Sequence, residues 1–249
     1  FCTVPGGLTV QEHNAWIYYG GGQELWDELC KGFGLRAFLA GGSGIQMGGW
    51  FQKEILSADD IKGIKMRIPG FGAEVINRMG GTAVNLPGGE IMPALQSGVI
   101  DATEWVGPWN DLAFGFYKIA KYYYGPGFHE PNSALECLVN LDAYNALPKD
   151  LQAIVSHACK AENVGMVSEF TAANSASQTV LVDEHEVQIR HFPDDVVKTA
   201  FSIAGDVVAE TADFDGLAKR IYENWSHFRS EAIARGPYAE QGYMNNRAL

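Results

Sequence analysis

Between residues 35 and 125 the chain alternates short apolar runs with short helical stretches, and glycine or proline closes nearly every one. Residues 35–40 read as a strand, and Gly41-Gly42-Ser43-Gly44 as a loop. Ile64-Lys65-Met66-Arg67-Ile68 alternates and reads as a strand cut off by Pro69-Gly70. Residues 72–79 read as a helix, 82–86 as a strand, 87–96 as a helix and 99–105 as another strand. This alternation is the signature of an α/β fold with parallel strands. Upstream, residues 9–31 read as helix interrupted by Gly20-Gly21-Gly22. Beyond Pro148 the pattern turns helical, with a brief strand at 187–191 and a final amphipathic helix over 214–234 that lines up Leu217, Ile221, Trp225 and Phe228.

Charge narrows the function. Asp and Glu outnumber Lys and Arg by 30 to 18, a net charge of −12. Such a chain does not bind nucleic acid or an anionic membrane surface non-specifically, and it needs a local positive centre to hold an anion. No apolar run approaches the roughly 18–20 residues of a membrane span. The chain starts at Phe1-Cys2-Thr3-Val4-Pro5, which reads like the middle of a domain, so a longer N-terminal part is expected. Cys2, Cys30, Cys137 and Cys159 show no C-x-x-C spacing, which argues against zinc or thioredoxin chemistry and for free thiols.

The segment Asp101-Ala-Thr-Glu104-Trp105-Val-Gly107-Pro108-Trp109-Asn-Asp111 sets a carboxylate beside large aromatics where a regular element ends. That suits a small polar ligand site, and equally a strand-to-loop junction with buried tryptophans. Arg67 sits near a strand end, where open α/β sheets bind ligands. Its guanidinium can hold a carboxylate through two parallel hydrogen bonds, or serve as a surface group. Gln46 follows the glycine loop and offers an amide oxygen to a cation. The loop lacks the phosphate-loop pattern. Glu104 and Glu130 are oxygen ligands for a hard cation or a general acid–base pair, and spacing does not separate the two. No histidine stands in a metal-binding pattern.

Gly44-Ile-Gln46-Met-Gly-Gly-Trp50, Lys65-Met-Arg67-Ile-Pro-Gly-Phe71, Leu86-Pro-Gly-Gly-Glu90, Ala102-Thr-Glu104-Trp-Val-Gly-Pro-Trp109 and Pro126-Gly-Phe-His129-Glu130 occur in order. Together they resemble the solute-binding proteins of tripartite ATP-independent periplasmic (TRAP) transporters, the DctP family. Within it the match is to the branch that binds 2-oxo acids, with a lactate-binding relative close by. The resemblance implies a type II periplasmic binding-protein fold: two α/β lobes joined by crossing strands, long C-terminal helices, and N-terminal strands of one lobe missing. It implies lobe I at 1–44 and 106–130, lobe II at 45–105 and 131–150, and a helical region at 151–249 packing across both. It implies an extracytoplasmic, non-enzymatic subunit that captures a pyruvate-like or lactate-like acid with Na⁺ or Ca²⁺ and no organic cofactor. Its partners would be membrane permease subunits and a second copy paired through C-terminal helices, unless the face at 214–234 packs within the chain. Arg67, Gln46 and Trp105 would touch the ligand. Gln46, Glu104, the Trp105 carbonyl and Glu130 would hold the cation. His129 stands where that motif has its second aromatic. Glu104, Glu130 and a monoanion sum to −3 and Arg67 returns +1, which favours a divalent ion. The alternative is a metal-dependent lyase or hydratase acting on a 2-oxo acid.

Overall fold

Thr9 precedes the first helix, α1 (Val10–Tyr19), and the Glu12 carboxylate returns to the Thr9 backbone N–H at 2.8 Å, closing a capping box. Gly21 adopts a left-handed φ of 89°, which breaks the helical run and starts α2 (Gly22–Lys31). The computed structural model describes residues 1–249. The chain continues through β1 (Leu35–Gly42), β2 (Gly49–Phe51), β3 (Lys65–Arg67), α3 (Gly70–Arg78), β4 (Thr82–Val84), α4 (Gly88–Ser97) and β5 (Ala102–Thr103). Next come α5 (Pro108–Phe114), β6 (Tyr122–Tyr124), β7 (Ala134–Asn140), α6 (Leu141–Ala146) and α7 (Lys149–Asp183). The last elements are β8 (Gln188–Arg190), α8 (Asp194–Glu210), α9 (Gly216–Arg235) and α10 (Glu240–Arg247).

Two sheets result. The larger runs β4-β3-β5-β2-β6-β8, and β1 and β7 form an antiparallel pair. Strand pairing is parallel for β3 with β4 and β5, and for β6 with β8, but β2 is antiparallel to both β5 and β6. Parallel strands are present as expected, and β2 alone runs against its neighbours. This strand reaches the sheet from the loop after β1 without the helical crossover that parallel neighbours require.

Alternation across the strands builds two cores. Phe51, Met66, Ala102 and Tyr124 face one side, against Val75 and Ile76 of α3 and Val196, Ala200 and Ala204 of α8. Trp50 and Tyr123 face the other, against Ile91 and Leu95 of α4 and Leu181 at the end of α7. A third core lies under the β1–β7 pair, where Ala37 and Leu39 meet Trp16, Ile17 and Trp26. Ile221, Trp225 and Phe228 of α9 pack, half-buried, onto that core, so the apolar face expected to pair two copies is in part used within the chain.

The expected lobe boundaries do not follow the hydrogen bonding. They joined 106–130 to 1–44 and 131–150 to 45–105, whereas β6 belongs to the large sheet and β7 pairs with β1. The tyrosine run explains β6: Tyr123 and Tyr124 point to opposite faces and each fills a core. Residues 99–105 yield a strand of only Ala102–Thr103, and Pro108 starts α5 rather than only ending a strand. Cys2, Cys30, Cys137 and Cys159 are not bridged to one another. No helix is long and apolar enough to cross a membrane.

Asp111 in α5 is 1% exposed and accepts from Trp50 Nε1 at 2.9 Å, Tyr123 Oη at 2.8 Å, and the backbone N–H groups of Val106 and Gly107, both at 3.1 Å. Burial pushes its carboxyl up to about 6, against the pull of these donors. Every partner donates, so Asp111→Asn would aim an amide N–H₂ at donors. Urea denaturation of this variant should show a loss of about 2–4 kcal/mol; an unchanged midpoint would remove Asp111 as an anchor.

Burial also governs His13, 1% exposed, whose Nε2 lies 3.1 Å from the Phe1 carbonyl. Desolvation lowers its pKa from 6.5 to about 4. The unfolded chain then takes up a proton that the folded chain refuses, so stability contributed by neutral His13 is lost as pH falls from about 6.5 towards 4. Thermal melts should show Tm falling across that window in the parent and a shallower fall in His13→Gln.

Candidate functional site

The C-terminal ends of the parallel strands β3 and β5 carry the first two site residues. Arg67 ends β3, Thr103 is its register partner in β5, and the Glu104 backbone N–H donates to the Arg67 carbonyl at 3.0 Å. That register puts both side chains at one sheet end. Arg67 Nη1 donates to Glu104 Oε1 at 2.5 Å and to the Glu104 carbonyl at 3.2 Å. Arg67 Nε donates to the Leu86 carbonyl at 3.2 Å, and the guanidinium lies 5.1 Å from the Trp105 ring centroid. Glu104 is 2% exposed and Arg67 8%, so the pair is held out of water.

The remaining residues arrive on loops that stitch the two sheets together. The Gln46 N–H donates to the Glu130 carbonyl at 3.2 Å, Gly127 N–H to the Gln46 carbonyl at 2.9 Å, and Met47 N–H to the Val106 carbonyl at 3.0 Å. On this frame Gln46 Nε2 donates to Glu130 Oε2 at 2.7 Å and to Ser133 Oγ at 2.9 Å. Ser133 Oγ also donates to Glu130 Oε2, at 3.2 Å. Gln46 Oε1 is buried and has no partner. His129 Nε2 lies 3.2 Å from Glu104 Oε2.

Electrostatics couple the two halves. Burial alone would lower the His129 pKa, but the hydrogen bond to Glu104 and the charges of Glu104 and Glu130 outweigh it and raise it above 6.5. Burial raises the Glu130 carboxyl. With His129 protonated, two cations face two carboxylates.

The structure thus gathers Gln46, Arg67, Glu104, Trp105 and Glu130 at one place. It differs from the expected clamp in one respect. Arg67 spends Nη1 on Glu104 and Nε on Leu86, so only Nη2 is left to face an anion. The expected pair of parallel bonds cannot form without displacing Glu104. Sequence reasoning did not single out Ser133, whose small hydroxyl carries no pattern. His129 stood out in the sequence as a departure from a motif, beside Glu130. Trp109 is a packing residue, edge-on to Phe170 of α7 at 5.2 Å.

No three His, Cys, Asp or Glu side chains converge as a metal-binding group. A hard cation would have to draw on amide and carbonyl oxygens beside the carboxylates. The orphaned Gln46 Oε1 fits that need, and no loop or side-chain hydrogen bond ends on the Trp105 carbonyl. Each Glu104 oxygen accepts one bond and keeps a lone pair. A cavity of about 380 Å³ opens beside the group, lined by Thr3, Pro69, Gly70, His129, Glu130 and Ser133. A larger cavity, about 800 Å³, lies between α3 and the α8–α9 region and touches none of the site residues.

Residues 1–214 match the family described as bacterial extracellular solute-binding protein, family 7, DctP. The chain is 42% identical over 243 residues to the monocarboxylate 2-oxoacid-binding periplasmic protein of Nostoc sp., covering 98% of this chain and 66% of that one. It therefore spans just under two thirds of that relative's length. A TRAP periplasmic solute-binding protein from Colwellia psychrerythraea, with bound calcium and pyruvate, superposes with a TM-score of 0.92 at 42% identity, over 98% of this chain and 75% of that one. One from Pseudoalteromonas atlantica, with bound sodium and pyruvate, gives 0.90 at 41% identity, over 98% and 74%.

Removing the charge that holds Arg67 should be costly. Glu104→Gln leaves a buried guanidinium without an anion, and chemical denaturation should show a loss of about 3–5 kcal/mol. A change below about 1 kcal/mol would mean that the pair is solvated in solution.

Proposed function

Because the chain belongs to the DctP family of bacterial extracellular solute-binding proteins, we propose that it captures a small 2-oxo or 2-hydroxy monocarboxylate together with a cation. On this reading it is the extracytoplasmic subunit of a TRAP transporter and hands its ligand to membrane permease subunits. The observation that carries the proposal is the buried, unpartnered Gln46 Oε1 beside Glu130, one loop away from the Arg67–Glu104 pair. A buried amide oxygen without a donor is costly unless a cation or ligand completes it. Gln46, Glu104, the Trp105 carbonyl and Glu130 would hold the cation, which supplies a positive centre for the two adjacent oxygens of a 2-oxo acid. Arg67 Nη2 would meet the carboxylate, and the Trp105 ring would form a wall.

Charge bears on the ion. With neutral His129, Glu104, Glu130, Arg67 and a monoanion balance a divalent cation. With protonated His129 they balance a monovalent one. The preference for a divalent ion drawn from the sequence omitted this group, and the relatives from Colwellia and Pseudoalteromonas carry calcium and sodium respectively.

Residues 43–48 and 125–133 pass between the sheets and are the proposed hinge of two closing lobes. The lyase reading needs a carboxyl free to move a proton. Both Glu104 oxygens are engaged by Arg67 and His129, so Glu104 is held as an ion and the acid–base pair with Glu130 that the lyase reading needs is incomplete. Two copies need not pair through α9, whose apolar face already packs in part on the third core.

Titration calorimetry with pyruvate should give binding in Ca²⁺ or Na⁺ and none in a sodium-free buffer with chelator. Gln46→Ala and Arg67→Ala should each weaken binding by about tenfold or more, the scale of one charged hydrogen bond. Equal affinity with and without cation would sink the proposal, as would conversion of pyruvate to product beyond one equivalent.

A further inference from the structure

Cys137 and Cys159 come from distant elements and meet on one surface. Cys137 lies in β7 directly opposite Phe38 of β1, so the two side chains share a face of the hairpin. Phe38 and Cys159 line the same cavity of about 210 Å³ between β1 and α7. Cys159, Asn163, Met166 and Val167 recur at helical spacing on α7, and Met166 and Val167 press on Gly41 and Gly42 of β1. That face of α7 therefore lies against the hairpin, with Cys159 over the strand position of Phe38 and Cys137. Burial, together with the neighbouring Cys137, raises the Cys159 pKa. Cys159 is buried while Cys137 is only partly so, whereas Cys2 is exposed and Cys30 is buried in α2.

We propose that Cys137 and Cys159 are a disulfide-forming pair that staples α7 to the β1–β7 hairpin when the protein meets an oxidising compartment. The location rests on the extracytoplasmic reading above, since disulfides form and persist there. The oxidant is a small or protein-borne disulfide. The partly exposed Cys137 thiolate attacks one sulfur of that disulfide and expels the other as a thiolate. Cys159, as thiolate, then attacks the Cys137 sulfur and expels the second. Two cysteine thiols become one S–S bond, and the oxidant leaves as two thiols carrying the two protons and two electrons. The staple would fix the middle of β7, the strand that follows Glu130 and Ser133, two residues of the candidate site.

The test uses the purified protein incubated with oxidised glutathione, and in parallel with a reductant. Thiols are counted by maleimide mass tagging, and the linkage is read by peptide mapping without reduction. The expected result is loss of two of the four thiols, a Cys137–Cys159 peptide, and a Tm raised by about 5–10 °C over the reduced form. Cys137→Ala and Cys159→Ala should each abolish the link and the shift. Four reactive thiols after oxidation would overturn the proposal, as would a link through Cys2 or Cys30 or a stable glutathione adduct on Cys137. If an alanine variant does not fold, mapping of the parent protein decides alone. None of these readouts measures ligand binding, so failure of the carboxylate reading leaves this result standing, and the reverse.

Discussion

The buried ion pair between Arg67 and Glu104 is the interaction on which the site depends. Removing two charges from water is expensive, and the structure offsets it with a dense set of bonds. Arg67 donates to a side chain and two carbonyls, and Glu104 takes a second partner in His129. The pair thereby binds the ends of β3 and β5 to the loop that carries Glu130. From Glu130 the network continues through Gln46 to the passage after β1. One unsatisfied oxygen, Gln46 Oε1, remains at its far end, and that is where an added cation has something to gain.

Close approach keeps this network together. A Cβ on Gly88 would stand 2.7 Å from the Trp105 ring, so glycine there lets the indole lie against α4 and over Arg67. A Cβ on Gly127 would stand 3.0 Å from the His129 ring and from the Gln46 carbonyl. A few residues further along the chain from Glu104, Asp111 performs a parallel task. It binds β2, β6 and the turn after Glu104 through four donors, and so steadies the segment in which Glu104 and Trp105 sit. The two buried acids lie in one stretch of chain but answer to different partners.

Legibility followed range. The breaks at Gly20-Gly21-Gly22, Pro69-Gly70 and Pro148 are local backbone effects, and the elements they bound stand where periodicity puts them. Arg67 and Glu104 were readable because strand ends are where α/β sheets bind ligands. α5 was not, because Pro108 both ends an extended run and suits the first helical turn. β7 was missed because Leu135, Glu136 and Leu138 are exposed and its alternation is weak. Asp111 was overlooked beside two tryptophans, since nothing in its own neighbourhood announces the Trp50 and Tyr123 donors.

By itself the sequence determined the α/β class, the helix and strand periods, the family and the residue types gathered at the site. These follow from local backbone preference, from the spacing of apolar side chains and from a set of motifs in order. Only the tertiary structure decided which passages of chain exchange sheets, that β2 runs against its neighbours, and that Glu104 is already held by Arg67 and His129. It alone decided that Cys137 and Cys159 meet. Each of these is a pairing between distant segments, set by which partner satisfies a buried charge, donor or apolar face at least cost, and no single stretch of sequence contains both sides of that choice.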